Sequence, residues 1–284
     1  MHYVITGHSG FIGSEVIRLL DLEKTKYSLI TREDNQPKLP FVDPNEEVVL
    51  IHLAGLAHRE ANYDELYQAN VNYLEKTINE VLSGCNLKRV IFLSSVAVYG
   101  VHESDKIMDE SCPLYSDEAY GKVKIFAENK IIELSQRYKF DYVILRPPLV
   151  YGRNSPGNLS KLKKWGERLH FLPFGLAKSK RTMIHVSDLS RAIIVSASYP
   201  LTISMKFNVC EDKGISTKSL MKRLQLKNYV SVPIPIIIMK LILEMCGKKK
   251  LYQQLYGQRL FSNRLIVDET GWKPKFTAIE NLEI

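Results

Sequence analysis

Short apolar runs alternate with longer stretches of helical period along the first half of the chain. Tyr3-Val4-Ile5 is too brief for a helix and is built of strand-forming residues. Val16, Ile17 and Leu20 then fall at helical spacing within 14–20. Further strands are predicted over 27–31, 48–53, 90–93 and 142–145, with helices over 64–82 and 117–138. The last strand is stopped by Pro147-Pro148. Such alternation predicts an α/β protein with a doubly wound parallel sheet. Between the second and third strands lies only 32–47, broken by Pro37, Pro40 and Pro44. A full strand–helix unit does not fit there, and Phe41-Val42 is the expected remnant of a shortened one.

Beyond residue 150 the alternation weakens. Stretches 154–170, 178–184 and 213–263 read as insertions that build a smaller lobe. The expected division is therefore a main domain over 1–153, with 182–212 returning to it, and a smaller C-terminal lobe from 154–181 and 213–284. No internal repeat or low-complexity linker interrupts this plan.

Composition and charge change the picture in several places. With 284 residues, 45% hydrophobic and 25% charged, the chain suits a soluble globular protein. Its four cysteines stand far apart without a C-x-x-C spacing, which points to reduced thiols rather than a disulfide or zinc framework. The first strand begins almost at Met1, leaving no secretory signal in front of it, so a cytoplasmic location is expected. The most apolar segment, 230–246, is interrupted by Pro233, Pro235, Lys240 and Glu244. It is too short and too charged to span a bilayer, and a packed helix is expected in preference to a surface-lying one. The net charge of +8 favours anionic partners. Lysines and arginines are scattered and no nucleic-acid motif accompanies them, so a phosphate-bearing small ligand is the better match. The run Lys248-Lys249-Lys250 reads as a solvated helix end.

Candidate chemistry begins at Thr6-Gly7-His8-Ser9-Gly10-Phe11-Ile12-Gly13, between the first strand and the first helix. Free N–H groups and the positive dipole end of a helix start form a seat for a pyrophosphate. Gly7 permits the tight turn, Gly10 the close approach of phosphates, and Gly13 the packing of helix on strand. The spacing is G-x-x-G-x-x-G rather than the standard G-x-G-x-x-G, and an ordinary turn remains the bland alternative. At the end of the second strand stands Arg32, where an acid would hold a ribose 2′-OH; a guanidinium suits a 2′-phosphate and tilts the choice from NAD to NADP. Glu33 and Asp34 follow at once, and a shift of one residue would reverse that choice.

Tyr120 and Lys124 lie four apart on one face of a predicted helix. An ammonium beside a phenol favours the phenolate, making the tyrosine a usable acid or base. Ser94-Ser95 closes the strand before them, at the edge of an open α/β sheet where ligands bind. Ser95 is the preferred hydroxyl for orienting a substrate oxygen, with Ser94 capping the strand turn.

The motifs T-G-x-x-G-F-I-G, H-L-A-G, S-S-x-A-V-Y-G, Y-G-K-x-K, L-R-P, I-H-V-S-D-L and G-W-K-P occur in this order over nearly the whole chain. Together they resemble the extended short-chain dehydrogenase/reductase superfamily, and within it the nucleotide-sugar epimerases and dehydratases. The resemblance implies a Rossmann-type fold with a smaller C-terminal substrate-binding lobe, an NAD or NADP cofactor, a UDP-sugar or other nucleotide-sugar substrate, and a homodimer through the helices at 64–82 and 117–138. It implies catalytic roles for Ser95, Tyr120 and Lys124. Gly7, Gly10, Phe11, Ile12 and Gly13 match the pyrophosphate loop. Leu53, Ala54 and Gly55 match a strand end bordering the cofactor, Asn70 a helix residue near it, and Pro147 the place where backbone meets nicotinamide.

On the substrate side the resemblance suggests Asn158 and Arg181 as contacts to the diphosphate, and His58 lies where the sugar could reach. His185 and Asp188 are expected to hold a strand–helix junction with Ser187 as N-cap, and Trp272 to anchor the C-terminal segment. The second phosphate-binding arginine is left between Arg259 and Arg264. The implied reaction is hydride transfer at C4 of a nucleotide-activated hexose, as in a 4-epimerase. A 4-keto-sugar reductase using NADPH is the first rival, and a non-catalytic dinucleotide-binding redox sensor the second. Dehydration is disfavoured, because Val96-Ala97 stand where an acidic pair would be needed.

Overall fold

The computed structural model describes residues 1–57, 61–169, 171–199, 204–224 and 230–280. Six strands make the central sheet: β1 (His2–Thr6), β2 (Tyr27–Leu29), β3 (Glu47–His52), β4 (Asn86–Leu93), β5 (Asp141–Arg146) and β6 (Met205–Asn208). Their spatial order is β6-β5-β4-β3-β1-β2, and every adjacent pair runs parallel. This is the expected doubly wound, Rossmann-type α/β sheet.

The alternation of side chains divides the strands between two apolar layers. Tyr3, Ile5, Val49, Ile51, Ile91, Val143 and Phe207 face one side, where α1 (Phe11–Leu22) and, later in the chain, Val186–Ser198 cover them. Val4, Val48, Leu50, Val90, Phe92 and Ile144 face the other. There they meet α2 (Tyr63–Tyr67), a π turn at Gln68–Asn72, α3 (Tyr73–Gly84) and α4 (Ala119–Tyr138). Burial on both faces explains why the strands read as continuous apolar runs.

Between β2 and β3 the shortened unit has become a hairpin. Thr31–Glu33 pairs antiparallel with Gln36–Lys38 across Asp34 and Asn35, both at positive φ. Asp and Asn tolerate that conformation, which suits a two-residue hairpin turn. Phe41 is exposed and Val42 is buried, so only half of the expected remnant packs.

The later part of the chain adds α5 (Asn158–Arg168), α6 (Val186–Ser198), α7 (Thr217–Arg223), α8 (Ile236–Met245), α9 (Lys249–Tyr256) and α10 (Arg264–Thr270). Tyr151, Leu159, Phe174, Leu220, Met239, Tyr252 and Tyr256 share a separate apolar cluster. Ile266 and Trp272 instead pack into the sheet layer shared with α1 and α6. The Trp272 indole donates to the Asp188 carbonyl at 3.2 Å. Asp188, fully buried, pairs with Arg191 and accepts the backbone N–H groups of Lys275 and Phe276, both at 2.9 Å. One correction concerns the cap of α6. His185, not Ser187, is the N-cap, its Nδ1 accepting from the Ser187 N–H, while the Ser187 hydroxyl donates to Glu15.

Glu211, just after β6, is buried and accepts the Ala278 N–H at 2.8 Å. Burial raises its carboxyl pKa from the ordinary 4.5 to about 7. The folded chain therefore keeps this proton where the unfolded chain has lost it, so stability falls as pH rises from about 4.5 to about 7 and is flat above. Glu211→Gln is expected to flatten that slope, which denaturation midpoints of both proteins across the window would reveal.

Candidate active site at the carboxyl edge of the sheet

The chain leaves β1 and β3 in opposite directions across the sheet, and the crevice between their ends is where an open α/β sheet takes ligands. Gly7 turns there at φ +69°, and a Cβ on it would stand 2.5 Å from the Ala54 nitrogen. A Cβ on Gly13 would stand 2.1 Å from the Gly7 carbonyl oxygen. Both positions demand glycine, one by conformation and contact, the other by contact alone. Gly10 begins α1 without a side-chain cap, and the first turn, with Phe11 and Ile12, carries no acid. Its free N–H groups fit an anion.

A cavity of about 800 Å³ opens beside this turn, lined among others by Gly7, Ser9, Arg32, Ala54, Gly55 and Tyr73. Arg32 lies 5.0 Å above the Tyr73 ring and donates to Asn35 at 2.5 Å. Glu33 is tied to Lys38 at 2.9 Å and is not among the residues lining the cavity, so the register leaves Arg32 rather than Glu33 in its wall. Thr6 Oγ1 accepts the Ala54 N–H, and the Leu53 N–H donates to the Thr6 carbonyl, locking the two strand ends together. The turn, the uncapped helix start and the cavity fit a dinucleotide.

Gly55, which lines the cavity, adjoins Asn70 and Lys124. A Cβ there would lie 2.6 Å from Asn70 Oδ1 and 3.6 Å from Lys124 Nζ. Asn70 sits in the π turn, buried, its Nδ2 donating to the Leu56 and Leu66 carbonyls while Oδ1 lacks a protein partner. π turns recur at functional sites, where they re-aim a side chain. The Pro147 carbonyl accepts the Val96 N–H at 3.1 Å, placing that proline against the Ser94-Ser95 strand end. Tyr120, Lys124 and Ser95 thus stand on the same edge of the sheet as the glycine turn.

Their electrostatics differ from the expectation. Burial pushes the Tyr120 phenol up to about 12, against the opposing pull of a hydrogen bond with Ser95. Lys124 donates to the Leu93 carbonyl at 2.9 Å, with Nζ 4.6 Å from the Phe92 ring centre and 5.9 Å from that of Tyr120. Burial lowers the Lys124 pKa to about 8, and the Glu128 carboxylate works in the other direction. Ser95 Oγ accepts the Ala97 N–H at 3.1 Å and caps the short helical turn Val96–Tyr99.

Beneath these groups lies a polar network that motif reading missed. Glu128, one helical turn beyond Lys124, forms a bidentate pair with Arg146 at 2.6 and 3.0 Å, both side chains fully buried. Ser94 donates to Glu128 at 2.6 Å, so its role is not turn capping. Arg146 also donates to Tyr99, whose hydroxyl donates to Asn208 at 2.8 Å. The signal was available in part: Tyr120, Lys124 and Glu128 share one spacing of four.

The substrate-side candidates fare unevenly. His58 lies outside the described residues. Asn158 opens α5, with its side chain outside them. Arg181 is largely committed to protein: Nε donates to the Gly257 carbonyl at 3.0 Å and Nη2 to that of Gln253, closing the C-terminal end of α9. Burial lowers its pKa to about 9, helped by neighbouring Arg259. Arg259 bridges Arg181 along the backbone, whereas Arg264 is exposed and pairs with Asp268. The structure thus gathers Arg181 with Arg259 and leaves Arg264 apart.

A model of the NAD dependent epimerase/dehydratase family matches residues 3–210. A UDP-glucose 4-epimerase of Vibrio cholerae is 26% identical, the alignment covering 99% of this chain and 93% of the relative. The N-acetyl-alpha-D-glucosaminyl-diphospho-ditrans,octacis-undecaprenol 4-epimerase of Escherichia coli O157:H7 is 26% identical over 66% of this chain and 60% of its own. Among solved structures, that of RMD from Pseudomonas aeruginosa complexed with NADPH superposes with a TM-score of 0.75, at 20% identity over 98% of this chain and 95% of that one.

Proposed function

Given that this chain belongs to the NAD dependent epimerase/dehydratase family, we propose that it is a nucleotide-sugar 4-epimerase acting on a UDP-hexose through a 4-keto sugar. The observation that carries the reading is the gathering of Ser95, Tyr120 and Lys124 at the sheet edge, with Lys124 beside Gly55 in the wall of the cavity next to the glycine turn. A bound nicotinamide would supply the acceptor and donor of the C4 hydride. Tyr120, as phenolate once its own proton has left, takes the proton of the C4 hydroxyl, then returns it to the same oxygen after the keto sugar has turned over. Ser95 holds the oxygen in line with the phenol. Lys124, beside Gly55 and Asn70, holds the cofactor's ribose. Gly7, Gly10, Phe11, Ile12 and Gly13 would seat the pyrophosphate, Leu53, Ala54 and Gly55 would border the cofactor, and Pro147 would meet the nicotinamide. Arg181 and Arg259, neighbours along the backbone, are the candidates to hold the substrate diphosphate.

Two observations favour a second reading, a 4-keto-sugar reductase consuming NADPH. Arg32 lines the cavity, and a phenol held near 12 already carries the proton a ketone needs. One experiment separates the two. Cofactor released from purified protein is identified, and UDP-glucose and UDP-galactose are tested for interconversion. Retained NAD with interconversion supports the epimerase; protein without it that oxidises NADPH only on addition of a 4-keto sugar supports the reductase; neither activity defeats both. Arg32→Asp is expected to move the NADPH-to-NADH binding ratio about 10- to 100-fold toward NADH, since a charge-assisted hydrogen bond is exchanged for a repulsion. Titrating both cofactors against both proteins checks it.

A further inference from the structure

Helix α8 reads Ile-Ile-Ile-Met-Lys-Leu-Ile-Leu-Glu-Met, and Met239 is its one buried residue. Ile237, Ile238, Leu241, Ile242 and Met245 fall within one arc of the helical wheel. They are exposed, Ile237 at 67%, Leu241 at 55% and Met245 at 88%. This corrects the expectation of a packed helix over 230–246. Phe171 and Val230, paired in register on the same lobe just before the segment leading into α8, are exposed as well. Exposed apolar residues on a soluble surface are ordinarily scattered singly, so a continuous strip asks for a partner.

Charge says which partner. Stretches 154–181 and 213–257, which build the lobe carrying α8, hold 16 lysines and arginines against two acids, Glu167 and Glu244. The whole chain is only +8, so the remainder is acidic on balance. Lys248, Lys249 and Lys250 follow α8 and start α9, where the positive end of a helix dipole disfavours cations. Lys250 reaches Glu118 at 3.1 Å. A second copy of this face would bring like charges together, and a nucleic acid would leave the apolar strip in water. An anionic bilayer surface takes both, with the apolar arc at the acyl boundary and the lysines among headgroup phosphates.

We propose that α8 and the lysines after it dock this protein on an anionic phospholipid surface, with α8 lying in the plane of the interface. At ten residues α8 is about 15 Å long, far short of a bilayer core. No described helix is long and apolar enough to cross a membrane. Docking of this kind is peripheral and reversible, independent of which reaction the sheet edge performs.

Flotation of the full chain with phosphatidylcholine vesicles, with or without phosphatidylglycerol, tests it. The wild type is expected to float with the anionic vesicles and to be released by added salt. Lys248→Ala/Lys249→Ala is expected to weaken binding about tenfold or more. Ile237→Ser/Leu241→Ser is expected to abolish it, with thermal midpoint and turnover of soluble substrate unchanged because both side chains face out. Equal flotation with neutral vesicles, or none with anionic ones, would overturn the proposal. So would an Ile237→Ser/Leu241→Ser variant that floats normally but falls from dimer to monomer in sedimentation, which would make the strip an interface between copies.

Discussion

Tyr120→Phe is expected to cut turnover by about 10²- to 10⁴-fold while leaving cofactor affinity and fold in place. The ring of Tyr120 packs against the apolar layer beneath α4, and a phenyl group keeps that packing. What is lost is the hydroxyl that bonds with Ser95 and would carry the proton to or from the sugar oxygen. Burial holds the phenol high, so at neutral pH it starts as an acid in this structure. A 4-keto sugar is then the form it can serve at once, whereas oxidation of a hydroxyl requires the proton to leave first. Steady-state rates in both directions, with cofactor binding measured separately, decide the matter. A Tyr120→Phe protein that turns over at the wild-type rate would remove the residue from the reaction.

The second large effect falls on stability. Removing either member of the Glu128–Arg146 pair strands its partner's charge in the interior, at a cost of about 3–5 kcal/mol. Glu128→Ala also takes away the acceptor of Ser94 and the carboxylate that favours the Lys124 cation. Glu128→Leu/Arg146→Met should recover much of the lost stability, because two buried charges are then replaced by apolar volume. Chemical denaturation of the two single variants and the double variant is the check. Additive losses in the double variant would mean the pair is not the source of the effect.

Much of this was legible in the sequence where local chemistry determines structure. The strands are read from runs such as Val48-Val49-Leu50-Ile51, because both faces of the sheet are covered. The glycine turn is read from spacing because Gly7 and Gly13 admit no side chain. What escaped depends on partners distant in sequence. Glu128 was visible as a third residue at spacing four, but its partner Arg146 lies on a different element, and an arginine in a strand carries no sign of its burial. The hairpin at Thr31–Glu33 escaped because its prolines suggested only a broken helix, although Asp34-Asn35 has the composition of a tight turn. Helix α8 was misjudged for another reason: a segment apolar all round has no period to say which face finds company. The upward shift of the Tyr120 phenol escaped because spacing places two side chains on one face without saying that burial will outweigh other influences or that Lys124 Nζ will turn to a backbone carbonyl.

The sheet ends on β2, three residues long, with the hairpin departing at once from its far end. That brevity matters for how the molecule tolerates crowding. A strand of three residues exposes few unpaired amides, too few for a neighbouring chain to zip onto, and the pairing of Thr31–Glu33 with Gln36–Lys38 instead of with the sheet denies any such zipper a continuation. Loss of the neighbouring strand–helix unit thus leaves a rim that is self-limiting, and mutations that straighten Asp34-Asn35 into extended backbone are the ones to watch for fibrous aggregates.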